Sequence, residues 1–345
     1  MSKRKLNRRQ KWRIEKIQEE KALRALKKER NIGRQIQSGD LSCEQRGTII
    51  AHFGKQIDVE ALEGEDKGSI HRCHVRANIE ALVTGDEVIW RAAPDSGGVI
   101  EALLPRRSLL QRPDNYGVLK PVASNIDHII IVQAPVPEPY PTLLDRYLVA
   151  AETMDITPVI LLNKTDLINE QNREYINTLF GRYSDLGYRV IHASAKQQDG
   201  LQELFEFTQD KTTVFVGQSG VGKSSLIQML LPEEEIKVGA LSEFNQKGTH
   251  TTTTAKLFHL PMGGNLIDSP GIREFGLWHV SEDELVYGFR EFRPYLGQCK
   301  FRNCQHRDEP GCGLKSAFSN GDISTERMNS YRQLRDSLDD LEIRP

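Results

Sequence analysis

The feature that most constrains the fold of this chain is the segment Gly217–Ser224, which reads Gly-Gln-Ser-Gly-Val-Gly-Lys-Ser. It matches the P-loop pattern at every fixed position and lies between an apolar run, Thr213–Val216, and a predicted helix, Ser225–Leu231. Such a loop needs glycine because its backbone N–H groups turn inward around phosphate oxygens, where side chains would clash. The segment predicts a phosphate site formed by Gly217, Gln218, Ser219, Gly220, Val221, Gly222, Lys223 and Ser224. A glycine-rich turn without a ligand is the alternative.

The side chains of this segment and of a second turn suit a phosphate-bound Mg²⁺. Lys223 is expected to reach the β- and γ-phosphates and act in catalysis, and the Ser224 hydroxyl to ligate the ion. Asp268 ends an apolar strand and opens the turn Asp-Ser-Pro-Gly, where a carboxylate suits an outer ligand of Mg²⁺. The N–H of Gly271 can touch the γ-phosphate and move away once it is lost. The turn is common alone and becomes specific beside a P-loop.

Four threonines at 251–254 follow a polar stretch that has little regular pattern. One of them can give a hydroxyl to Mg²⁺ and an N–H to the γ-phosphate, and we favour Thr253 over Thr252. The alternative, a threonine run that simply starts the next strand, fits the flanking residues equally well.

The group that orients an attacking water is not obvious in this sequence. Gly271 is followed by Ile272 rather than by a glutamine that could do so. Hydrolysis is therefore expected to be slow and to need a group from elsewhere. His250 is a candidate because it adjoins the threonines, although a histidine in a polar loop is more often just solvated.

A base-binding motif, Asn163-Lys164-Thr165-Asp166, follows the apolar strand Val159–Leu162. The Asp166 carboxylate can accept hydrogen bonds from N1–H and the exocyclic amine of guanine, a donor pair that adenine lacks. Asn163 would brace the neighbouring loops, and the Lys164 stem would lie over the base. The motif predicts a guanine nucleotide, GTP or GDP, as the ligand.

A second base-side segment, Ser194-Ala195-Lys196, follows the predicted strand Tyr188–His192 and can offer a backbone N–H to guanine O6. Each short motif recurs by chance, whereas three of them after three successive strands are specific. In ordinary GTPases the phosphate elements precede the base elements, and here they follow them, which only a circular permutation reconciles with the same sheet. The segment after Asp268 then leads directly into the C-terminal domain, so loss of the γ-phosphate is expected to move that domain.

Three domains and an arm are predicted. Residues 1–34 form a basic arm, either a mobile tail or an RNA-binding segment that orders on contact. Residues 35–111 hold five β-patterned runs that favour a small closed barrel of the OB type. Residues 112–276 alternate strands and helices, as in a parallel α/β sheet. Residues 277–345 are helical and start at a capping box, Ser281 to Glu284. The five runs are Arg46–Phe53, Gln56–Ala61, Ile70–Ala77, Glu87–Arg91 and Gly98–Leu103.

Three cysteines and a histidine fall within 14 residues: Cys299, Cys304, His306 and Cys312. Soft and borderline ligands at this spacing predict a tetrahedral, closed, structural Zn²⁺ site. The alternative is a chance cluster of reduced cysteines. Five basic side chains near the cluster could contact phosphates, namely Arg290, Arg293, Lys300, Arg302 and Arg307.

Charge and hydropathy favour a protein that contacts phosphate backbones and argue against a membrane or secreted protein. Residues 1–34 hold 14 Lys/Arg and 4 Asp/Glu, a net charge of +10 on a chain whose net charge is −2, so the remainder is acidic. A basic arm on an acidic body is typical of chains that touch phosphate backbones. Apolar runs are far shorter than the roughly 18 residues a membrane span needs, and no secretory signal is visible. A monomeric cytoplasmic protein is expected, with no membrane partner.

With a barrel, a permuted nucleotide domain and a Cys-x4-Cys-x-His-x5-Cys cluster in this order, the chain resembles the RsgA/YjeQ family. That family consists of circularly permuted GTPases of bacterial small ribosomal subunit biogenesis. The resemblance runs from about residue 35 to the final helix and departs from the family at no motif position.

The resemblance implies an OB-fold domain, GTP hydrolysis stimulated by the small ribosomal subunit, contacts to its rRNA, and late maturation near the decoding region. It also implies that two segments bind GTP: Asn163–Asp166, which includes Thr165, and Gly217–Ser225, which ends at Ser225. The cysteine–histidine cluster is implied to bind zinc. An apolar residue in place of the glutamine, here Ile272, fits the same family.

Two other functions remain open from the sequence. A scaffold protein could hold its nucleotide without turning it over, and a GTPase could serve a different RNA or a membrane partner. Hydrolysis measured with and without small subunits distinguishes the scaffold from a GTPase of the subunit. Co-sedimentation with ribosomal subunits at raised salt distinguishes a GTPase that serves another partner, because purely electrostatic binding is lost there.

Overall fold

The computed structural model describes residues 41–53, 56–76, 79–93, 97–113, 118–196, 201–231, 255–268, 280–307 and 309–342. The predicted basic arm, residues 1–34, lies outside these ranges. No helix within them combines the length and the apolar character needed to cross a bilayer.

The N-terminal part is a closed five-stranded barrel. Around the barrel, hydrogen-bonded strands follow the order β1-β2-β3-β5-β4, and β4 pairs with β1 to close the ring. Only the β3–β5 pair is parallel. Closure leaves no exposed edge within the ring. Buried side chains such as Ile49, Val59 and Trp90 fill the interior. The predicted OB-type barrel is confirmed, with strands β1 (Gln45–Phe53), β2 (Gln56–Ala61), β3 (Ile70–Val75), β4 (Glu87–Ala92) and β5 (Gly97–Leu103).

A hairpin that the sequence pattern did not predict follows the barrel. It consists of β6 (Leu109–Pro113) and β7 (Leu119–Ser124). Its prolines argue against strands, because proline cannot donate to a ladder, but each strand of a two-stranded ribbon has a free edge that tolerates them. A register shift between Leu110 and Gln111 interrupts the pairing, and Leu110 itself is buried in the core shared with the sheet.

The central part is a six-stranded sheet in the order β10-β9-β8-β11-β13-β12, in which only β12 is antiparallel to its neighbour. Its strands are β8 (His128–Gln133), β9 (Thr157–Leu162), β10 (Arg189–His192), β11 (Thr212–Val216), β12 (Lys256–His259) and β13 (Asn265–Asp268). The strand β8 is buried on both faces: Ile129 and Ile131 belong to one apolar core, and Ile130 and Val132 to the other. Continuous aliphatic runs of this kind are expected for parallel strands covered by helices on both sides.

Helices cover the sheet, and the strand order confirms the permutation. The helices are α1 (Pro141–Thr153), α2 (Arg173–Asp185), α3 (Leu201–Thr208) and α4 (Lys223–Leu230). Strands β8 to β10 precede the P-loop strand β11 in the chain and lie on one side of it, while β13 and β12 lie on the other. Since the parallel strands end at one edge, the segments that follow β9, β10 and β11 meet there.

The C-terminal part consists of α5 (Glu282–Gly288), a 3₁₀ segment (Arg290–Tyr295), α6 (Gly313–Asn320) and α7 (Thr325–Glu342). The predicted capping box is present at α5. The Glu284 N–H donates to Ser281 Oγ at 3.2 Å, and the Ser281 N–H donates to the Glu284 carboxylate at 2.8 Å. Side chains of α5, α6 and α7 share one apolar core with α1 and α2.

A buried ionic cluster fixes these C-terminal helices on the sheet domain. Arg327 of α7 pairs with Asp145 of α1 and with Glu291 of the 3₁₀ segment, the second at 2.6 Å between Nε and Oε1. The Arg327 and Asp145 side chains are only 2% and 1% exposed. Tyr183 of α2 donates its hydroxyl to Asp145 at 2.6 Å, and burial raises the pKa of this tyrosine well above its usual range. The C-terminal part is therefore packed against the base-side half of the sheet.

Candidate nucleotide site and metal cluster

The P-loop leaves β11 through a glycine that no other residue could replace. Gly217 has φ +140°, and a Cβ built on it would lie 2.4 Å from the carbonyl oxygen of Val132 on the neighbouring strand. Gly220 and Gly222 also have positive φ, +83° and +96°. These glycines let the loop curl over the sheet edge, the backbone form that an anion-binding loop requires.

The helix behind the loop begins earlier than predicted. It starts at Lys223 rather than at Ser225, because the left-handed Gly222 forms its N-terminal boundary. Lys223 Nζ donates to the carbonyl oxygens of Gly217 and Gln218, at 2.6 and 2.7 Å. The ammonium group therefore lies across the mouth of the loop, and Ser224 and Ser225 occupy the first helical turn, where N–H groups have no intrahelical acceptor.

The base motif and the P-loop are in direct contact. Asn163 is 1% exposed, and its Nδ2 donates to the Val221 carbonyl at 2.9 Å. Lys164, in the left-handed conformation, donates from Nζ to the carbonyls of Gly220 at 2.6 Å and Val136 at 3.0 Å. The two motifs, 58 residues apart in sequence at the Asn163–Val221 contact, thus form one site.

Close packing at this contact also excludes a side chain at Gly222. A Cβ there would lie 2.3 Å from Nδ2 of Asn163. The buried Oδ1 of Asn163 has no hydrogen-bond partner among the described residues. A buried amide oxygen without a partner is costly, which is consistent with a ligand or a water completing this side of the site.

Asp166 lies beside the second base-side segment. Ser194, fully buried, donates from Oγ to Asp166 Oδ1 at 2.6 Å. Lys196 Nζ is 3.9 Å from Asp166 Oδ2, and Thr165 donates its hydroxyl to the Ala193 carbonyl at 3.2 Å. The serine hydroxyl holds one carboxylate oxygen in place, and the loop that carries Ala195 runs alongside.

Asp268 ends β13, which lies three positions across the sheet from β9, the strand that leads into the base motif. The strand β13 pairs with β11, so its carboxyl end approaches the P-loop edge, and Asp268 lies opposite Lys256 in the β12–β13 ladder. Three other predicted site residues, His250, Thr253 and Gly271, lie outside the described residues, as do Thr252 and Ile272.

One contact at this site was missed by the sequence analysis. The carbonyl of Val136, in the loop between β8 and α1, accepts from Lys164, and a side-chain atom of Pro137 lies 3.7 Å from the Cβ position of Gly220. A proline-rich loop directly after a buried parallel strand is the signal that could have found it, because such loops line the carboxyl edge of the sheet.

The cysteine–histidine cluster has the spacing of a tetrahedral metal site. His306 Nδ1 lies 3.5, 3.7 and 3.4 Å from the sulfurs of Cys299, Cys304 and Cys312. A tetrahedral zinc with ordinary bond lengths would place nitrogen and sulfur about 3.6 Å apart. All four ligand atoms lie within 4.8 Å of one another, so the cluster is compatible with a closed zinc site.

Local backbone features hold the four ligands together. Cys312 is the N-cap of α6, where the helix dipole favours a thiolate, and Gly313 N–H donates to the Cys299 sulfur at 3.2 Å. Burial lowers the pKa of His306, which favours the neutral imidazole that metals bind. Burial raises the pKa of the Cys304 thiol to about 12, so a thiolate there needs a neighbouring cation.

Three of the five basic side chains around the cluster form ion pairs within the protein. Arg290 and Arg293 both bind the carboxylate of Glu152, at 2.6 and 2.5 Å. Arg307 pairs with Glu282 at 2.7 Å. Arg290 and Arg293 therefore fasten the C-terminal part to α1, and the Arg307 pair joins two segments within the C-terminal part.

Comparisons with known proteins agree with this geometry. The family model for the RsgA GTPase matches residues 103–278. The protein "Small ribosomal subunit biogenesis GTPase RsgA" of Hahella chejuensis is 60% identical over 343 residues, covering 99% of both chains, and that of Marinobacter nauticus is 58% identical over 346 residues, covering 100% of this chain and 99% of that protein.

Two solved structures are similar throughout. YjeQ from Thermotoga maritima gives a TM-score of 0.70 at 32% identity, covering 84% of this chain and 97% of that one. YloQ, described as a circularly permuted GTPase, gives 0.70 at 32%, covering 88% and 97%. The barrel, the permuted sheet and the cysteine–histidine cluster thus occur together in a chain that belongs to the RsgA family of GTPases, which are GTP hydrolases.

Proposed function

We propose that this protein binds the small ribosomal subunit and its rRNA, assists late maturation of that subunit, and hydrolyses GTP to GDP and phosphate with stimulation by the subunit. The relatives that match nearly the full chain carry the name of a small ribosomal subunit biogenesis GTPase. GTP acts as a switch that loads and releases the protein. We place it in the cytoplasm as a monomer, without a membrane partner.

The observation that carries this proposal is the contact between the two nucleotide motifs. Asn163 and Lys164 donate to the Val221 and Gly220 carbonyls, so the base and phosphate segments are braced against each other. A permuted chain that failed to reunite these motifs could not bind one nucleotide with both.

Each base-side residue has a distinct part in the proposal. Asp166, with one oxygen fixed by Ser194, accepts the guanine N1–H and exocyclic amine. Lys164 lies along the base, held by two carbonyls, and Thr165 ties its turn to the strand end at Ala193. The backbone of Ala195, with Lys196 beside it, offers an N–H to guanine O6. Adenine would leave Asp166 without its donors.

On the phosphate side, the proposed roles follow the loop. N–H groups from Gly217 to Ser225 surround the phosphates, and Lys223 moves from its loop carbonyls to the β- and γ-phosphates. Mg²⁺, when bound, would neutralise phosphate charge, with Ser224 and Asp268 on its inner and outer sides. Thr253 as a further ligand, Gly271 as a γ-phosphate contact and His250 as the water-orienting group stay proposals from sequence.

For the metal cluster we propose one structural Zn²⁺ held by Cys299, Cys304, His306 and Cys312. The donor set and the nitrogen–sulfur distances support it. Four protein ligands leave no position for substrate, so the ion would stabilise the fold rather than take part in hydrolysis.

The test is phosphate release from GTP by the full-length protein, alone and with purified small ribosomal subunits. We expect stimulation by small subunits and none by large subunits, the matched control. Lys223→Ala is expected to abolish the stimulated rate. Binding without any turnover would instead favour a scaffold that holds its nucleotide.

Sedimentation with the small subunit at raised salt, in a GTP analogue and in GDP, tests the switch. We expect co-sedimentation in the analogue state and release in GDP. Equal recovery in both states, or loss of both at raised salt, would contradict it.

A further inference from the structure

A turn of the barrel is anchored to the nucleotide sheet by a buried side chain. Thr84 lies between β3 and β4 and is fully buried, and its hydroxyl donates to the carbonyl oxygen of Ala255 at 2.8 Å. The two residues are 171 positions apart. Ala255 directly precedes β12, so this hydrogen bond fixes the start of that strand.

The turn around Thr84 is held rigidly from the other side. The carboxylate of Asp86, fully buried, accepts from Arg106 at 2.7 and 2.8 Å, from Ser124 Oγ at 2.6 Å and from the Val83 N–H at 2.8 Å. A buried carboxylate with this many donors is a stiff element.

The neighbouring glycine brings the turn as close as a backbone permits. A Cβ on Gly85 would lie 2.2 Å from the Ser124 carbonyl oxygen and 3.1 Å from Cδ1 of Ile267. Ile267 is the residue before Asp268 on β13. The barrel turn therefore abuts both strands of the β12–β13 pair, at the end where Asp268 lies.

The start of the strand that Thr84 anchors lies between the barrel and β13. One register pair joins β12 to the barrel, Ala51 with Lys256, and on its other side Lys256 pairs with Asp268. The far end of β12 is held by His259, whose Nε2 is 2.6 Å from Glu60. The anchor at Ala255 thus acts together with these pairs on the position of Lys256 and, through the ladder, on that of Asp268.

We propose that Thr84, a barrel residue, is a positioning residue for GTP hydrolysis, because its hydroxyl sets the β12–β13 pair and hence the Asp268 carboxylate. The inference rests on the proposed role of Asp268 beside Mg²⁺. It makes the barrel part of the catalytic scaffold, in addition to any RNA contact it makes. A displacement of about 1 Å in such a group can lower a rate roughly a hundredfold, and we expect about tenfold from loss of one hydrogen bond.

The experiment compares Thr84→Val, which keeps shape and removes the hydroxyl, with Thr84→Ser, which restores it. Single-turnover GTP hydrolysis is measured against Mg²⁺ concentration, and GDP affinity is measured in EDTA. Thr208→Val is the matched control, since Thr208 is 1% exposed and its hydroxyl also donates to a carbonyl, that of Phe205 at 3.1 Å.

The expected result is a tenfold lower rate and a higher Mg²⁺ requirement in Thr84→Val, unchanged GDP affinity in EDTA, and recovery in Thr84→Ser. Rates and Mg²⁺ curves of Thr84→Val that match Thr208→Val would overturn the inference while leaving the GTPase proposal intact. A loss of GDP affinity and rate together, without recovery by serine, would show a structural role only and also overturn it. Absence of hydrolysis by the unsubstituted protein would contradict the proposed function itself, and with it the inference.

Discussion

In the proposed nucleotide site, Asp166 is the residue that would select the purine. Its carboxylate is held by the buried Ser194 hydroxyl at 2.6 Å, so it cannot turn away to accommodate a different pattern of donors and acceptors. A site built around fixed hydrogen bonds rejects a ligand that leaves them unpaired far more strongly than an apolar pocket rejects a change of size.

Replacing Asp166 with asparagine exchanges one acceptor for a donor. We predict that Asp166→Asn lowers GDP affinity by about a thousandfold and raises affinity for xanthosine diphosphate, whose C2 carbonyl oxygen replaces the guanine amine and can accept from the new amide. Fluorescence titration with both nucleotides measures this. Glu203→Gln is the control, because it makes the same change of a carboxylate to an amide in an exposed pair with Arg189. Unchanged GDP affinity in Asp166→Asn would place the base elsewhere.

Two glycines of the P-loop allow the effect of a steric clash to be measured apart from the effect of a left-handed backbone. Gly222 and Gly220 both have positive φ, yet a Cβ on Gly222 would lie 2.3 Å from Asn163, while one on Gly220 meets no atom nearer than 3.7 Å. Both alanine variants carry a left-handed alanine, a cost of about 1 kcal/mol. We predict that Gly222→Ala lowers GTP affinity at least tenfold more than Gly220→Ala, as measured by calorimetry. Equal losses would mean that the Asn163 contact contributes nothing.

At the scale of elements, the metal cluster is a folding unit of the loop between the 3₁₀ segment and α6. We predict one zinc per chain by elemental analysis, lost in Cys304→Ser together with a fall in melting temperature, because metal binding and folding of such a loop are coupled. Cys43→Ser is the control, since Cys43 is exposed and lies in the barrel part. Full zinc content in Cys304→Ser would contradict the assignment.

Elements with a strong periodic signal were predictable, and those set by distant contacts were not. The strand Gln56–Ala61 has the predicted bounds, and the apolar run Val159–Leu162 lies within the observed strand Thr157–Leu162. The helix α2 begins only at Arg173, because Asn169 Oδ1 accepts from the N–H groups of Gln171 and Asn172 and holds a turn before it.

The contacts of the candidate site also divide into those that the sequence predicts and those that it does not. Local motifs reveal which residues belong to it, because a P-loop or a base motif is a continuous segment. The Thr84–Ala255 bond joins residues 171 positions apart, and neither end has an unusual sequence. Likewise the arginines near the cysteine cluster resemble a phosphate surface in sequence, but Arg290 and Arg293 are bound to Glu152.

At the scale of the whole molecule, one buried cluster joins the C-terminal part to the nucleotide sheet. Arg327 lies between Asp145 and Glu291, and removing it would leave two carboxylates buried without their cation. We predict that Arg327→Met lowers the free energy of unfolding by about 3–5 kcal/mol in urea denaturation.

The matched control for that variant removes an ion pair that joins the same two parts at the surface. Arg182 of α2 pairs with Glu326 of α7 at 2.9 Å, with side chains 23% and 54% exposed. Arg182→Met is expected to cost less than about 1 kcal/mol. Similar losses for the two variants would show that burial does not decide the contribution of these pairs.

The permuted order also predicts a response to the nucleotide. The chain leaves β13 at Asp268 and next enters the C-terminal part, so we expect a change at the γ-phosphate to be passed along one segment. We predict that amide hydrogen exchange in residues 281–342 differs between GTP-analogue and GDP states. Identical exchange in both would count against this coupling.

In the proposed complex, one guanine nucleotide bridges the segment after β9 and the segment after β11. Isothermal titration calorimetry of the full-length protein with GDP and with ADP, at equal Mg²⁺, tests this directly. We predict one GDP site per chain and ADP binding at least a thousandfold weaker, because Asp166 would be left unpaired. Equal affinity for the two nucleotides would contradict the account.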